Sequence, residues 1–322
     1  MDTLLRRETE INDQADKSQK KRRWRIIIGL LIFLVVILIV IAIFIMIMWQ
    51  RADSAFKQMY EPLGDAVVNL REEEGTPPLD LGEDPFSILI LGLDEGRSDS
   101  MMLATINPNT QSSYLLSVPR DTMVMISGHG RTTRINHAYA YGGIDMAVNT
   151  IQDFLNVPVD YYITLDMYQF PALVDAFGGV RVYNNTVAFS MEGYNFPLGY
   201  IDLTGSAAFY YVRMRLDDPQ GDFGRQERQR NVLGAMVREL AGVTLITRYQ
   251  QIFDAAADQM SMNMTLDEAM TISMNYSRAL RNVTHYQLHA PSQLIGGMYL
   301  VQVPEIQRLE MSMRLRNHLE LE

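Results

Sequence analysis

The fold of this chain is set by residues 86–94, which read Phe-Ser-Ile-Leu-Ile-Leu-Gly-Leu-Asp. The apolar run predicts a buried β-strand, and the strand delivers a carboxylate, Asp94, at its end. A second apolar run, Tyr114–Val118, leads into Pro119-Arg120-Asp121 in the same way, and Arg134 lies on the segment after it. Two buried strands therefore end in aspartates beside arginines, which indicates that charged side chains gather at neighbouring strand ends.

The residue types at these strand ends predict a chemistry. Arg97 and Asp99 follow Asp94, and the second strand end carries Arg120 and Asp121. Carboxylate oxygens are hard ligands that suit Mg²⁺, and arginine forks bind phosphate oxygens through paired hydrogen bonds. The pattern therefore predicts a metal-assisted site for a phosphorylated ligand. A surface salt bridge explains any single pair more simply, but the repetition of the pattern favours a site.

A second group of basic residues lies farther along the chain. Arg213 and Arg215 alternate on a segment that we expect to be extended, so that both side chains point to one side. Arg225 and Gln229 are four residues apart at the beginning of a predicted helix and therefore share a face. The free N–H groups of a helix start attract anions. These residues together predict a cradle for a diphosphate, and an exposed helix start capped by Asp222 is the alternative.

Strand-like and helix-like segments alternate from residue 85 to the end of the chain. Such alternation predicts an α/β or α+β domain with a central mixed β-sheet flanked by helices. The predicted strands cover residues 86–93, 101–106, 113–118, 123–126, 161–165, 180–183, 283–289 and 298–303. The predicted helices cover residues 144–155, 167–176, 204–213, 226–240 and 304–316, and a capping box at Thr265 and Glu268 opens one more.

The N-terminal part of the chain has the composition of a single membrane anchor. Residues 26–49 form a run of 24 residues without a charge. A helix of that length reaches ~36 Å, which is enough to cross a hydrocarbon core of ~30 Å. Basic residues crowd its N-terminal side, so residues 1–25 are predicted to be a cytoplasmic tail and the remainder to lie outside the cell. An acidic run and a proline pair predict a stalk over residues 50–84, followed by an extracellular domain over residues 85–322.

The distribution of charge and the lack of cysteine exclude several classes of function. Residues 1–25 carry 8 basic and 5 acidic side chains, whereas residues 50–322 carry 20 basic and 33 acidic side chains, a net charge of −13. An acidic outer domain does not suit binding to nucleic acid, which needs a basic surface. Because the chain has no cysteine, disulfides, thiol catalysis and thiolate metal sites are excluded.

Taken in order, these segments resemble the LytR-CpsA-Psr family of bacterial cell-envelope proteins. The matching pieces are Ile90–Asp94, Arg97–Met102, Leu116–Asp121, Arg134–Gly143, Val174–Val180, Tyr211–Arg215 and Asp222–Gln229. The full series, behind a single N-terminal anchor, is far more specific than any one motif. The rest of the domain is expected to be a C-terminal extension.

The resemblance implies an extracellular phosphotransferase of a Gram-positive cell envelope. Such enzymes move a glycopolymer, for example teichoic acid or capsule polysaccharide, from a polyprenyl-diphosphate carrier to a peptidoglycan hydroxyl. They use Mg²⁺, and Mn²⁺ is a possible substitute. The implied partners are the lipid-linked glycan, the peptidoglycan acceptor and the membrane bilayer, and no nucleic acid is expected.

The resemblance also implies roles for individual residues. Asp94 and Asp99 are expected to hold the metal. The residues expected to bind the diphosphate are Arg97, Arg120, Arg134, Arg213, Arg215, Arg225 and Gln229. Of these, Arg120, Arg213 and Arg215 are expected to act in catalysis, and Asp99 or Asp121 is the candidate that accepts the proton of the acceptor hydroxyl.

Two positions depart from the family pattern. An arginine often found soon after the first aspartate is missing, with Glu95 nearby instead, and Arg134 stands where many members have lysine. Other functions also stay open on the sequence alone. They are a pyrophosphatase that acts on polyprenyl diphosphates with water as the acceptor, and a module or envelope regulator that binds lipid-linked glycans without turnover.

Overall fold

The structure, a computed structural model, describes residues 2–215, 217–240 and 243–321. It divides into two compact units, Met1–Arg51 and Ala52–Glu322. From Ile27 onward, the first helix is long and apolar enough to cross a membrane, with a mean hydropathy of 3.8 over its most apolar 18 residues. It is the one helix with this property in the described part of the chain. The predicted span at residues 26–49 therefore lies within a continuous helix.

The helices and strands have the following bounds. The helices are α1 (Asp2–Met59), α2 (Leu70–Glu73), α3 (His137–Leu155), α4 (Phe170–Phe177), α5 (Gly205–Arg213), α6 (Asp222–Leu240), α7 (Val243–Gln259), α8 (Leu266–Asn275) and α9 (Glu305–His318). The strands are β1 (Phe86–Asp94), β2 (Arg97–Asn107), β3 (Ser112–Ser117), β4 (Met123–Met125), β5 (Thr132–Arg134), β6 (Tyr161–Asp166), β7 (Val180–Asn184), β8 (Phe189–Met191), β9 (Tyr194–Phe196), β10 (Gly199–Leu203), β11 (Met260–Met262), β12 (Val283–Gln287), β13 (Ser292–Ile295) and β14 (Met298–Val301).

A six-stranded mixed sheet forms the centre of the second unit, with the strand order β11-β6-β1-β2-β3-β12. β1 pairs with β6 in parallel, and β3 pairs with β12 in parallel. The pairs β1–β2, β2–β3 and β6–β11 are antiparallel. Helices cover the sheet on both sides, so the predicted mixed sheet flanked by helices is confirmed.

The side chains of β1 alternate between two apolar layers. Phe86 packs in a cluster with α4 and α5, which includes Leu173 and Ala208. Leu89 and Leu91 are fully buried in a second cluster with α3 and α9. Because successive residues of a strand point to opposite faces, a strand that is buried on both sides reads as a continuous apolar run. The run at residues 86–93 is therefore the sequence of a central strand.

The segment predicted to be a stalk, residues 50–84, differs from that prediction. From Ala52 onward it belongs to the same compact unit as the sheet, and Ala55 and Met59 at the end of α1 are buried in its core. The Arg71 side chain is also buried, and its Nε donates to Asp160 Oδ1 at 2.6 Å. The apolar residues of the last helical turns hold this segment on the domain, and the acidic run and proline pair lie beyond those turns.

Several element bounds also differ from the predicted ones. Helix α3 begins at His137 rather than 144, and it is kinked because Gly142 and Gly143 have non-helical backbone angles. Helix α6 begins at Asp222, four residues before the predicted start. Helix α7 was not predicted. The capping box is confirmed: Thr265 and Glu268 each bond the other's backbone N–H at the start of α8.

The lowered pKa values of three histidines predict that the fold loses stability in weak acid. Burial lowers the pKa of His318 below its usual 6.5, and its ring nitrogens bond Thr105 Oγ1 and Ser112 Oγ at 2.8 and 3.0 Å. Burial also lowers the pKa of His137 and His285. Near pH 6 these histidines bind protons more readily in the unfolded chain than in the folded chain. Their contribution to the free energy of unfolding is therefore complete above about pH 6.5 and is lost as the pH falls below that value.

We expect the melting temperature to fall as the pH is lowered from about 7.5 to 5.5. The buried His318 lowers the free energy of unfolding by at most ~1.4 kcal/mol per pH unit, and the less buried His137 and His285 contribute less. In the His318→Gln variant, which can keep the two hydrogen bonds, the fall should be smaller. Differential scanning calorimetry of the full chain measures both slopes. Equal slopes for the two proteins would contradict the role given to His318.

Candidate functional site

The carboxyl ends of four strands lie at one edge of the central sheet, called the carboxyl edge below. β1, β3, β6 and β12 run in the same direction, because β2 is antiparallel to both β1 and β3 while β6 and β12 are parallel to their neighbours. Asp94 ends β1, Met167 follows β6, and Arg120 comes three residues after β3. The structure therefore brings the two predicted strand ends together.

A tight turn returns the chain to the carboxyl edge after β1. Asp94 pairs with Arg97 across a turn of two residues, Glu95 and Gly96, whose φ angles are +49° and +75°. Positive φ at both turn positions gives a backbone twist that matches the twist of paired strands. Asp99 is thus held on β2 close behind the turn, and both predicted metal ligands belong to one rigid hairpin.

Arginines reach the same edge from the junction of α5 and α6. Arg213 is the last residue of α5, and the next residue, Met214, has an extended backbone that leads to Arg215. Arg213 Nη2 lies 3.0 Å from Asp94 Oδ2. Arg225 and Gln229 both lie in the first turns of α6 and remain four residues apart on one face. Of the segment predicted to be extended, Arg213 is still helical and Met214 alone has an extended backbone, so the prediction is confirmed only at Met214.

These side chains surround a cavity of about 200 Å³. Its lining is Asp94, Asp99, Ser100, Arg120, Met167, Val212, Arg213, Arg215, Arg225 and Gln229. Four arginines stand against two aspartates, which leaves the lining with an excess of two positive charges. Seven of the residues singled out in the sequence meet here, although they come from three separate segments of the chain.

Hydrogen bonds hold the polar lining in place. Arg120 Nη1 donates to Asp99 Oδ2 at 2.5 Å. Arg225 Nη2 donates to the Asp99 carbonyl at 3.3 Å, and the Ser100 hydroxyl donates to Gln229 Oε1 at 3.0 Å. The bond between Arg120 and Asp99 is short and joins two charged groups, and such bonds are among the stronger ones in proteins. β2 and α6 are therefore joined across the cavity.

Several polar atoms of the lining are buried without a hydrogen-bond partner. They are Asp94 Oδ1, Arg120 Nε, Arg213 Nη1 and Arg225 Nε. Burial also lowers the pKa of Arg225, an effect that Asp222 opposes. A buried polar atom without a partner costs about 1–3 kcal/mol, so several in one cavity indicate a site that a charged ligand completes.

Three predicted residues, Arg97, Asp121 and Arg134, lie beside the cavity and not in its lining. Asp121 Oδ2 is 3.8 Å from Arg120 Nε, and Asp121 Oδ1 accepts from Arg134 Nη1 at 3.4 Å. Arg134 Nη2 is 2.9 Å from His137 Nε2, which must accept because arginine only donates. Burial, then Arg134 and Arg97, lower the pKa of His137, which agrees with a neutral ring. Arg134 is thus held between Asp121 and His137.

An aromatic pair beside Arg213 was not predicted from the sequence. The Arg213 guanidinium lies over the Phe209 ring at 4.7 Å and over the Tyr168 ring at 5.5 Å from each centroid. The Tyr168 hydroxyl donates to Glu95 Oε1 at 3.3 Å, and the charge of Asp94 raises the pKa of Tyr168. The signal available in the sequence was that Tyr168 directly follows a strand ending at the carboxyl edge.

The sequence also did not predict the other three lining residues, which are Ser100, Met167 and Val212. Apolar wall residues are of the same types as core residues, so no pattern separates them. Gly92 is informative here, because a Cβ at that position would lie 3.0 Å from both Met167 Sδ and Ser100 Cβ. A glycine inside an apolar strand signals a close approach, and here β1 is approached from both sides.

The lining contains oxygen ligands that suit a hard cation. Asp94 Oδ1 is buried, unpartnered and part of the cavity wall, and Asp99 supplies a second carboxylate. Among the described residues, no group of three His, Asp or Glu side chains is arranged to hold a metal. Magnesium is commonly bound by one or two carboxylates together with substrate phosphates and water, so the residues present fit Mg²⁺.

Residues 47–317 match the LytR_cpsA_psr family. A curated relative from Bacillus licheniformis, named polyisoprenyl-teichoic acid–peptidoglycan teichoic acid transferase TagU, is 34% identical over 311 residues, which cover 95% of this chain and 99% of that protein. The TagU protein of Bacillus subtilis is also 34% identical, over 94% of this chain and 98% of its own length.

Solved structures show the same fold. The crystal structure of B. subtilis TagU has a TM-score of 0.63 and 37% identity, over 74% of this chain and 99% of that chain. A protein from Enterococcus faecalis, described as a transcriptional regulator, has a TM-score of 0.69 and 34% identity, over 76% of this chain and 92% of that chain.

Proposed function

Because this chain belongs to the LytR_cpsA_psr family, we propose that it transfers a teichoic-acid-type glycopolymer from a polyprenyl-diphosphate carrier to peptidoglycan. The relatives named TagU are transferases for teichoic acid and peptidoglycan. The observation that carries the proposal for this chain is the cavity in which four arginines meet two aspartates. Its positive excess and its unpartnered buried donors suit the two charges of a diphosphate diester.

The proposed reaction is a phosphoryl transfer. The oxygen of a peptidoglycan hydroxyl attacks the phosphorus that bears the glycan, and the bond from that phosphorus to the bridging oxygen breaks. Polyprenyl phosphate leaves, and the acceptor gains a glycan phosphate through a phosphodiester. The hydroxyl proton passes to a carboxylate, for which the candidates are Asp99, which lines the cavity, and Asp121, which lies beside it.

In this proposal the arginines bind the phosphate oxygens and stabilise their charge. Little covalent chemistry is required from the protein in phosphoryl transfer, so catalysis consists of positioning and of stabilising charge on the phosphate oxygens. Arg120 and Arg225 both bond Asp99 of β2, and Arg213 and Arg215 approach from the end of α5. Arg134, with Arg97, forms an outer row that attracts the anion as it enters.

We assign the metal position to Asp94 and Asp99. When bound there, Mg²⁺ would neutralise part of the diphosphate charge, which is worth several kcal/mol in the transition state. We expect EDTA to remove transfer activity and millimolar Mg²⁺ to restore it, with Mn²⁺ as a weaker substitute. Activity that persists after exhaustive treatment with EDTA would contradict the assignment.

The membrane anchor fits a carrier that is a lipid. The apolar helix from Ile27 onward is long enough to span the bilayer. The basic residues before it support an orientation with residues 1–25 in the cytoplasm and the catalytic domain outside, by the positive-inside rule. A domain that carries a net charge of −13 outside the cell is not expected to bind nucleic acid.

The test uses the purified full chain in detergent with a short glycan on a polyprenyl diphosphate, Mg²⁺ and peptidoglycan oligomers. Mass spectrometry should find glycan phosphate on the acceptor together with polyprenyl phosphate. The Arg120→Ala variant should make neither product. The Arg131→Ala variant, which changes an exposed arginine outside the lining, should behave as the parent protein.

Two outcomes would favour other functions. Polyprenyl phosphate without a modified acceptor would indicate hydrolysis, with water in place of the sugar hydroxyl. Tight binding of the donor without any product, over a range of acceptors and with Mg²⁺ present, would indicate a module that holds lipid-linked glycans.

A further inference from the structure

We propose that the β13–β14 hairpin inserts its tip into the surface of the lipid bilayer and holds the cavity next to the diphosphate of a membrane-bound carrier. The inference rests on the proposed function in one respect, namely that the donor is a lipid. Its own basis is the exposure, composition and position of the hairpin, which no step of the transfer reaction uses.

The hairpin exposes apolar side chains on both of its faces. Leu294 pairs with Tyr299 and Ile295 pairs with Met298, so the two pairs point to opposite faces. The exposed fractions of Leu294 and Tyr299 are 62% and 66%, and those of Ile295 and Met298 are 38% and 42%. The two strands form a sheet of their own and pair with each other. An exposed hairpin of this kind is a typical contact surface.

The base of the hairpin is fastened beside the cavity. The Val301 N–H donates to the Asp121 carbonyl at 2.8 Å, and Val301 forms a parallel bridge with Thr122. Asp121 directly follows Arg120, which lines the cavity. The hairpin also follows β12, whose carboxyl end lies at the carboxyl edge. A partner that holds the tip therefore fixes the position of the cavity.

The composition of the segment favours a lipid surface as that partner. Residues 291–304 contain no charged side chain, whereas the domain as a whole is strongly acidic. The tip itself is Gly296-Gly297, with φ angles of +59° and +81°, and it presents no side chain that would resist entry into the interface. Tyrosine is favoured at membrane interfaces, and aliphatic side chains enter to a depth of ~5–10 Å.

The absence of cysteine allows a direct test with single labels. Leu294→Cys in the full chain would carry an environment-sensitive fluorophore, and the protein would be placed in vesicles of phosphatidylglycerol and phosphatidylethanolamine. Met274→Cys is the matched control, because Met274 is 66% exposed but lies on α8. The end of α8 lies beside Gly82, four residues before β1 begins and so away from the carboxyl edge.

We expect the label at residue 294 to shift to shorter wavelength and to be quenched by nitroxide lipids about threefold more than the label at residue 274. The measurement needs no turnover, so it stands apart from the success or failure of the transferase assay. Equal quenching at the two positions would overturn the proposal. A response of the label at residue 294 to added peptidoglycan but not to lipid would also overturn it and would assign the hairpin to the acceptor.

Discussion

The Asp94→Asn variant is expected to lose about 100- to 1,000-fold in kcat for transfer, the cost typical of removing one electrostatic contact to a transition state. The amide keeps the size of the carboxylate but not its charge. Asp94 Oδ1 is buried and unpartnered, and Oδ2 lies 3.0 Å from Arg213 Nη2. The substitution therefore removes both a proposed metal ligand and the carboxylate that pairs with Arg213. Steady-state kinetics at several Mg²⁺ concentrations measure the loss.

The chain offers a matched control one residue away. Glu95→Gln changes the same charge on a side chain that is 68% exposed and points to Tyr168 and Arg97. We expect its kcat to stay within about twofold of the parent value, since exposed charges contribute little. An equal loss of kcat in the two variants would mean that any negative charge near the cavity mouth supports activity. Asp94 would then not be a ligand of the metal.

The sequence predicted the members of this site better than their arrangement. Asp94 and Arg120 were predictable because they lie at or just after the ends of apolar strands, and Asp99 because it follows Asp94 closely in the sequence. The ends of strands that run in one direction must meet at one edge. Arg213 and Arg225 lie more than ninety residues farther along the chain, and only their residue types pointed to the same ligand. Their approach to the carboxyl edge depends on how α5 and α6 pack, which local patterns do not encode.

The sequence could not distinguish the charged residues that line the cavity from those that lie beside it. Asp121 and Arg134 have the same residue types as Asp99 and Arg120, and Asp121 is adjacent to Arg120 in the sequence. The difference arises from the turn after Pro119, where the Thr122 N–H donates to the Pro119 carbonyl and the Ile135 N–H donates to the Thr122 carbonyl, so that the chain turns away from the cavity. The stalk was misjudged for a related reason, because proline and acidic residues are visible in a sequence whereas the contacts of Ala55 and Met59 are not.

Arg228 explains how the arginines of the α5–α6 junction are held in position. Its side chain is fully buried, and Nη1 donates to Asp218 Oδ2 at 2.5 Å. Nε donates to the Tyr211 carbonyl at 2.9 Å, and Nη2 donates to the Met214 carbonyl. These two carbonyls flank Arg213, and Met214 precedes Arg215. One buried guanidinium of α6 therefore fixes the backbone that presents two arginines of the cavity.

The second large effect is expected for Arg228→Met. Removing one partner of a buried ion pair leaves the other charge uncompensated and costs ~3–5 kcal/mol, which corresponds to a fall of roughly 10 °C in melting temperature for a domain of this size. Arg238→Met on the same helix changes an exposed arginine and should cost less than about 0.5 kcal/mol. Thermal unfolding of the full chain in detergent measures both.

Stability and positioning are separated by a double variant. In Arg228→Met/Asp218→Leu neither charge is left buried alone, so much of the stability should return, because apolar pairs often replace buried ion pairs at little cost. The backbone around Met214 would still lack its hydrogen bonds, so we expect kcat to stay about tenfold below the parent value with Arg213 and Arg215 intact. A folded double variant with full kcat would mean that helix packing alone positions the two arginines and that Arg228 serves only stability.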